Sequence, residues 1–308
     1  MSDSADHLQS LSWKLRQVVG EDNVLANEPM SAHTTFEIGG PADLFVIPDD
    51  PEEVHDVVSL CRERDVPFFT LGRGSDLLVS DEGYRGVIIS LTEGLLNVSV
   101  EGEEMTCQAG VNLREASEMA CELGLSGLEF ACGIPGSIGG ACFMNAGAYD
   151  GCMADVLQSV RVLMGDGSLE TIPADQLELG YRTSRIRTEG LVVLSATFSL
   201  REANPESIRE KMDDFTQRRE SKQPLELPSA GSTFKRPEGY FAGKLISDAG
   251  LRGYRAGGAE VSTKHAGFVV NVDHATSADV HSVIEHVQKE VARQFGVKLE
   301  TEVLFLGE

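Results

Sequence analysis

The stretch FACGIPGSIGGACFMNAGAY (130–149) holds Gly133, Gly136, Gly139, Gly140 and Gly147 with almost no charge. Glycine loses more conformational freedom on ordering than other residues. The cluster therefore predicts close backbone approach or positive φ at several points. A large ligand laid against the main chain makes that demand, and so does a buried loop packed under a sheet. Upstream, GRGSD (72–76) follows the apolar run PFFTLG (67–72). Successive backbone N–H groups in such a turn can form an anion-binding nest. A third feature is a basic island, in which Lys235, Arg236, Lys244, Arg252, Arg255 and Lys264 stand against Glu238, Asp248 and Glu260. This local excess of +3, in a chain of net charge −23, suits either an anionic ligand or six scattered surface cations.

Two familiar glycine-rich motifs do not apply. Gly243-Lys244 is followed by Leu245 rather than the Ser or Thr of a P-loop. GRGSDL lacks the third glycine of a Rossmann fingerprint. Two glycine loops without those signatures fit one long dinucleotide held between them, which points to FAD bound by a non-Rossmann route. Cys132 and Cys142 flank the second loop, but no covalent attachment site stands out, so noncovalent FAD is expected.

At 308 residues and 41% hydrophobic content, the chain is long enough for two domains or one large one. No apolar run approaches the roughly 18 residues of a membrane span. The N-terminal MSDSADHLQSLSWKLRQVVG is polar and acidic before an amphipathic pattern, unlike a secretory signal. A cytoplasmic protein without a membrane partner is expected. The charge of −23 argues against nucleic acid, which needs a basic footprint. Only 8 of the 26 basic residues are lysine, a bias that fits high-salt adaptation or high solubility equally. Cys61, Cys107, Cys121, Cys132, Cys142 and Cys152 include no CxxC pair, and the histidines form no HExxH. Reduced core cysteines and no structural metal are expected. His281 and His286 fall on one helix, where solvent exposure is the expectation.

The elements that must position these groups follow from periodicity. Leu8, Leu11, Leu15 and Val18 form a helical stripe ending at Gly20. DLFVIP (43–48), a helix capped by Asp50 with Pro51 in its first turn, and PFFTLG (67–72) predict a β-α-β unit. GVIISL (86–91) predicts a further strand, and Asn112 with Glu115 a capped helix to about Leu123. VRVLM-GDGS-LETI (160–172) predicts a hairpin on an Asp-Gly turn, and LVVLSATFSL (191–200) a strand. A helix opens at Asn204-Pro205, and its charged tail QRRESKQPLELPSAGS predicts a junction between domains. Beyond it come a short helix (about 241–249), a strand (265–272), a helix from Ser277 to Phe295 and a strand (299–306).

Seven segments stand in a telling order: TTFEIGGPADLFVIP (34–48), LGRGSDLLV (71–79), GIPGSIGGACFMNAGAY (133–149), GYRTSRI (180–186), SAGSTFKRP (229–237), KHAGFVVN (264–271) and LETEV (299–303). Together they closely resemble the UDP-N-acetylenolpyruvoylglucosamine reductase family, in its shorter subtype, over roughly residues 24–306. The resemblance implies an α+β fold. A two-subdomain FAD-binding region of the vanillyl-alcohol-oxidase type would occupy residues 1–201, and an α+β substrate domain residues 202–308. It also implies NADPH as hydride donor, UDP-N-acetylglucosamine enolpyruvate as substrate, UDP-N-acetylmuramate for peptidoglycan as product, and a monomer.

The same resemblance assigns roles. Gly72, Arg73, Gly74, Ser75 and Asp76, with Gly133, Ile134, Pro135, Gly136, Ser137, Gly139, Gly140 and Asn145, would bind the cofactor. Arg182 would stabilise a developing enolate with a permanent, forked cation. Ser232 would supply the carbon proton and Glu302 would assist. Tyr181, Lys244, Lys264, His265 and Asn271 would bind the substrate. One departure concerns Asp76, where the family's first loop usually carries asparagine; an ionised aspartate accepts hydrogen bonds but donates none. Two other readings stay open. A different FAD oxidoreductase of this fold would have no need of SAGSTF or LETEV. A non-catalytic flavin- or nucleotide-sugar-binding protein would not need Arg182, Ser232 and Glu302 together.

Overall fold

The computed structural model describes residues 2–307. The fold is α+β, and the chain divides into two compact units that it enters more than once. The first comprises residues up to Ala26, Leu44–Arg73 and Gly86–Arg218; the second comprises Asn27–Asp43, Gly74–Arg85 and Arg219–Glu308. This partition differs from the simple 201/202 boundary expected from sequence, for two packing reasons. The helix Pro205–Lys222 sends Ile208 and Met212 into a small apolar cluster with Cys121 and Cys132 of the first unit. The division at Arg218/Arg219 falls in the charged tail QRRESK, where the sequence predicted a junction, and the helix continues through it to Lys222. Meanwhile Leu77–Val79 pairs in parallel with Leu304–Leu306, which draws an early segment into the second unit.

In the first unit the helix Pro51–Glu63 forms as expected. Asp50 Oδ1 accepts from the N–H groups of Glu52 and Glu53 at 2.8 and 2.9 Å, and Val54, Val57, Val58 and Cys61 are buried. The strand Phe68–Leu71 pairs in parallel with Tyr84–Ser90, which lies between it and Pro41–Val46 in the sheet. An antiparallel sheet runs in the order Leu169–Pro173, Leu157–Leu163, Val192–Ser199, Glu104–Gln108, Val98–Glu101. Across it the row Ile172, Val160, Ala196 and Cys107 is buried, so one face joins the core of this unit. Burial pushes the thiols of Cys61, Cys107 and Cys142 up to about 12, which keeps them protonated and inert.

The second unit packs the helix Ser277–Phe295 on a small antiparallel sheet of Arg255–Ala256, Ala259–Val261 and Val269–Asn271. Thr276 and Asp279 form a reciprocal capping box, Gly296 closes the helix at φ 69°, and Val280, Val283, Ile284, Val287 and Val291 are buried. The two late strands are shorter than the sequence predicted, at Val269–Asn271 and Leu304–Leu306. His281 and His286 are half-buried rather than solvent-facing: His286 stacks on Tyr254 at 3.9 Å and His281 tilts against Phe305 at 4.7 Å. The apolar alternation of the helix could not reveal aromatic partners contributed by distant segments.

Candidate active site

The second glycine loop is partly helical. Ser137 starts a helix, Ile138–Met144, its Oγ accepting from the Gly140 N–H at 3.5 Å, and Asn145 ends it in the left-handed region at φ 44°. None of Gly133, Gly136, Gly139, Gly140 and Gly147 has a positive φ, so of the two expectations only close approach remains. Part of that approach is to protein: a methyl group on Gly139 would lie 3.0 Å from Ala109 Cβ, and one on Gly147 2.8 Å from Cys152 Cβ. Gly140 is exposed and has no contact tighter than 3.6 Å to Ser137 Oγ. At the start of the first loop, a methyl on Gly72 would lie 2.5 Å from Ser137 Oγ, so the two loops of this unit abut. The main-chain N–H groups of Arg73, Gly136 and Ser137 meet no acceptor among the described residues, although Ser137 is 2% exposed.

The rest of the first loop belongs to the second unit. Gly74 has φ 59°, and an added Cβ would run into the His33 carbonyl oxygen. Its own carbonyl accepts the Thr35 N–H at 3.1 Å, while the N–H groups of Gly74 and Ser75 meet no acceptor among the described residues. The Asp76 carbonyl accepts the Leu304 N–H at 3.0 Å. Gly74→Ala should therefore lose bound flavin. The left-handed conformation costs an L-residue about 1–2 kcal/mol, and the backbone contact adds to that. The check is the flavin-to-protein absorbance ratio after purification, with retention of the parent ratio as the contrary result.

Arg182 occupies a tight turn in the first unit. Gly180 and Thr183 exchange main-chain hydrogen bonds at 3.0 and 3.4 Å, and Arg182 between them has φ 56°. Arg187 Nη1 donates to the Arg182 carbonyl at 2.9 Å, and the Arg182 guanidinium lies 5.2 Å from the ring centre of the exposed Tyr181. Asn145 anchors the turn to the glycine-loop helix: its Nδ2 donates to the Gly180 carbonyl at 3.0 Å and its Oδ1 accepts from the Ala154 N–H at 3.0 Å. Expected as a cofactor ligand, Asn145 spends its amide on the protein and sets where Arg182 stands.

In the second unit SAGSTF and LETEV run antiparallel. Phe234 bridges Thr301, the Glu302 N–H donates to the Thr233 carbonyl at 2.9 Å, and the Lys235 N–H donates to the Glu300 carbonyl at 2.9 Å. Ser232 and Glu302, far apart in the chain, are thereby on adjoining segments, both half-buried. His265 is half-buried with its pKa below the usual range, chiefly because burial disfavours the cation. Its Nδ1 accepts from the Gly267 N–H at 3.1 Å, which leaves the proton of the neutral ring on Nε2 as an outward donor. Asn271 is buried, giving Nδ2 to the Phe36 carbonyl at 3.1 Å and Oδ1 to the Ala275 N–H at 2.8 Å. It too braces main chain rather than presenting a free amide.

The basic island is less basic in three dimensions than along the chain. Lys264 meets Glu226, Arg255 meets Asp273 and Lys235 meets Glu300, all carboxylates from outside residues 235–264. Lys244 pairs with Asp248 at 2.6 Å on its own helix. Such exposed pairs hold weakly, so Lys244 and Lys264 are available to an incoming anion at little cost.

Unpaired main-chain donors beside glycine cradles fit the phosphates of a dinucleotide, since orphaned buried N–H groups are otherwise rare. No group of metal-ligating side chains occurs among the described residues, and no described helix is long and apolar enough to cross a membrane. Fold and site together define an FAD-binding flavoprotein with an appended α+β domain. The FAD binding domain family matches residues 42–172, and the C-terminal domain of UDP-N-acetylenolpyruvoylglucosamine reductase matches residues 223–306. The chain is 53% identical to the UDP-N-acetylenolpyruvoylglucosamine reductase of Clostridium perfringens (strain SM101), over 95% of this chain and 96% of that one. It is also 53% identical to the enzyme of that name from Exiguobacterium sibiricum, over 96% of each. The crystal structure of the Thermus caldophilus reductase superposes with a TM-score of 0.79 at 34% identity, covering 92% of this chain and 98% of the other. The chain belongs to the UDP-N-acetylenolpyruvoylglucosamine reductase family.

Proposed function

We propose that this chain uses NADPH to reduce the enolpyruvyl group of UDP-N-acetylglucosamine enolpyruvate, giving UDP-N-acetylmuramate for peptidoglycan. The observation that carries the reading is the hydrogen bond between the Glu302 N–H and the Thr233 carbonyl, which sets Glu302 beside the segment bearing Ser232. Bound FAD would supply the hydride relay between NADPH and the substrate double bond. In the first unit Gly72, Arg73, Gly133, Ile134, Pro135, Gly136, Ser137, Gly139 and Gly140 are the residues proposed to hold it; in the second, Gly74, Ser75 and Asp76.

The remaining chemistry falls to side chains of this chain. Hydride addition to one carbon leaves negative charge on its neighbour and on the attached carboxylate. Arg182 offers that enolate a planar guanidinium cation that can grip its oxygens in a fork. Ser232 donates its hydroxyl proton to the carbanionic carbon and recovers one from solvent, so the substrate gains one hydride and one proton. A serine is a weak acid, but an enolate carbon is a strong enough base to take its proton. Glu302 assists beside it, Tyr181 and the Nε2–H of His265 orient the substrate, and Lys244 and Lys264 release their carboxylates to meet its diphosphate. Work as a cytoplasmic monomer, without nucleic acid, is part of the same proposal and accords with the acidic surface.

The test is direct. Purified yellow protein should oxidise NADPH only when the enolpyruvyl UDP-sugar is added, and heat denaturation should release the flavin into solution. NADPH oxidation unchanged by that sugar would refute the reading.

A further inference from the structure

The segment TTFEIGG has no part in the chemistry above, yet the fold gives one of its residues an unusual load. Thr35 reaches two loops of the second unit at once. Its N–H donates to the Gly74 carbonyl at 3.1 Å, and its carbonyl accepts the Ser229 N–H at 3.0 Å. Its hydroxyl donates to the Ser229 carbonyl at 2.7 Å, with the Gly74 carbonyl farther off at 3.5 Å. Ser229 opens the loop SAGST, and the other end of that loop is fixed by Thr233. Thr233 is 1% exposed; its N–H donates to the Gly267 carbonyl at 2.9 Å, its Oγ1 accepts the Val269 N–H at 3.0 Å, and its carbonyl accepts from Glu302. Ser232 therefore sits on a short span clamped at both ends. At the Ser229 end the hold includes a side chain from outside the loop, the Thr35 hydroxyl.

We propose that Thr35 is a positioning residue for proton delivery: its hydroxyl holds Ser229 and thereby aims Ser232, in register with the first glycine loop at Gly74. The proposal rests on the assignment of Ser232 as the proton donor. A misplacement near 1 Å in such a group costs about 10²-fold in rate. The main-chain bonds of Thr35 survive any substitution, so losing the hydroxyl loosens the loop without dismantling it.

The experiment compares Thr35→Val, Thr35→Ala and Thr35→Ser as FAD holoenzymes. With valine or alanine, reoxidation of the reduced flavin by the enolpyruvyl substrate should slow by about 10–10²-fold. Bleaching by NADPH, FAD affinity and melting temperature should stay near parent values. Amide hydrogen exchange over residues 229–232 should rise. Thr35→Ser keeps the hydroxyl and should restore both the rate and the protection. In the Ser232→Ala background, Thr35→Val should add little further slowing, because the group it aims is gone. Parent-like reoxidation in Thr35→Val and Thr35→Ala, equal loss of both half-reactions, failure of both variants to fold with FAD, or full additivity would overturn the proposal. A Ser232→Ala enzyme with undiminished reoxidation would instead remove the assignment on which it rests.

Discussion

Ser232→Ala is expected to leave NADPH-driven bleaching of the flavin at close to the parent rate while reoxidation by the enolpyruvyl sugar slows by orders of magnitude. Hydride transfer to the flavin needs no proton from this hydroxyl, whereas completing the product does. A positioned general acid contributes about 10²–10⁴-fold, which sets the scale of the loss. The substitution removes one half-buried hydroxyl, and the clamp made by Thr233 and Gly267 remains, so folding and flavin content should hold. Ser232→Cys should recover part of the rate, since a thiol can also surrender a proton. Anaerobic stopped-flow measurement of the two half-reactions decides the matter. Slowed reduction with intact reoxidation would show the assigned role to be wrong.

The second large effect concerns Arg182. Arg182→Met should lower the rate of substrate reduction by about 10²–10³-fold, the scale for removing one preorganised stabiliser of a developing oxyanion. Arg182→Lys should restore only part of it, because an ammonium lacks the planar fork that grips a carboxylate and enolate. The backbone offers a separate control. Arg182 sits at φ 56°, so Arg182→Gly relieves a conformation that costs an L-residue about 1–2 kcal/mol, against roughly 0.5–1 kcal/mol of added chain entropy. Arg182→Gly should therefore melt near or slightly above the parent while losing as much activity as Arg182→Met. If glycine proved sharply destabilising, the turn would owe its shape to the side chain rather than to Asn145 and Arg187.

Much of the chemistry was legible because it lies in local runs. GIPGSIGG announced close backbone approach from composition alone, and Asp50-Pro51 and Asn112 announced helix starts that the structure keeps. The order of the seven motifs pointed to the family, since motif order is a property of the chain itself. Where the reading fell short, distant segments decided the outcome. Local charge counting made 235–264 a basic island, but Glu226, Asp273 and Glu300 come from beyond it and pair with three of its cations. The expected boundary at 201/202 missed that Ile208 and Met212 would find Cys121 and Cys132, or that Leu77–Val79 would pair with Leu304–Leu306.

Two side chains expected as ligands, and one that was overlooked, hold main chain far off in the sequence. Asn145 and Asn271 have the residue type of a binding group, and both give Nδ2 to a carbonyl remote in sequence, Gly180 and Phe36, while Oδ1 accepts from the nearer N–H groups of Ala154 and Ala275. Thr35 has no distinguishing local signal, because the Ser229 carbonyl it holds is 194 residues away. By itself the sequence determined which backbone stretches could lie against a cofactor, where helices begin, and which side chains carry a proton or a permanent charge. Tertiary structure alone decided which of those side chains are aimed and which do the aiming. A hydrogen bond depends on distance and direction in space, and neither is encoded within a local window of the chain.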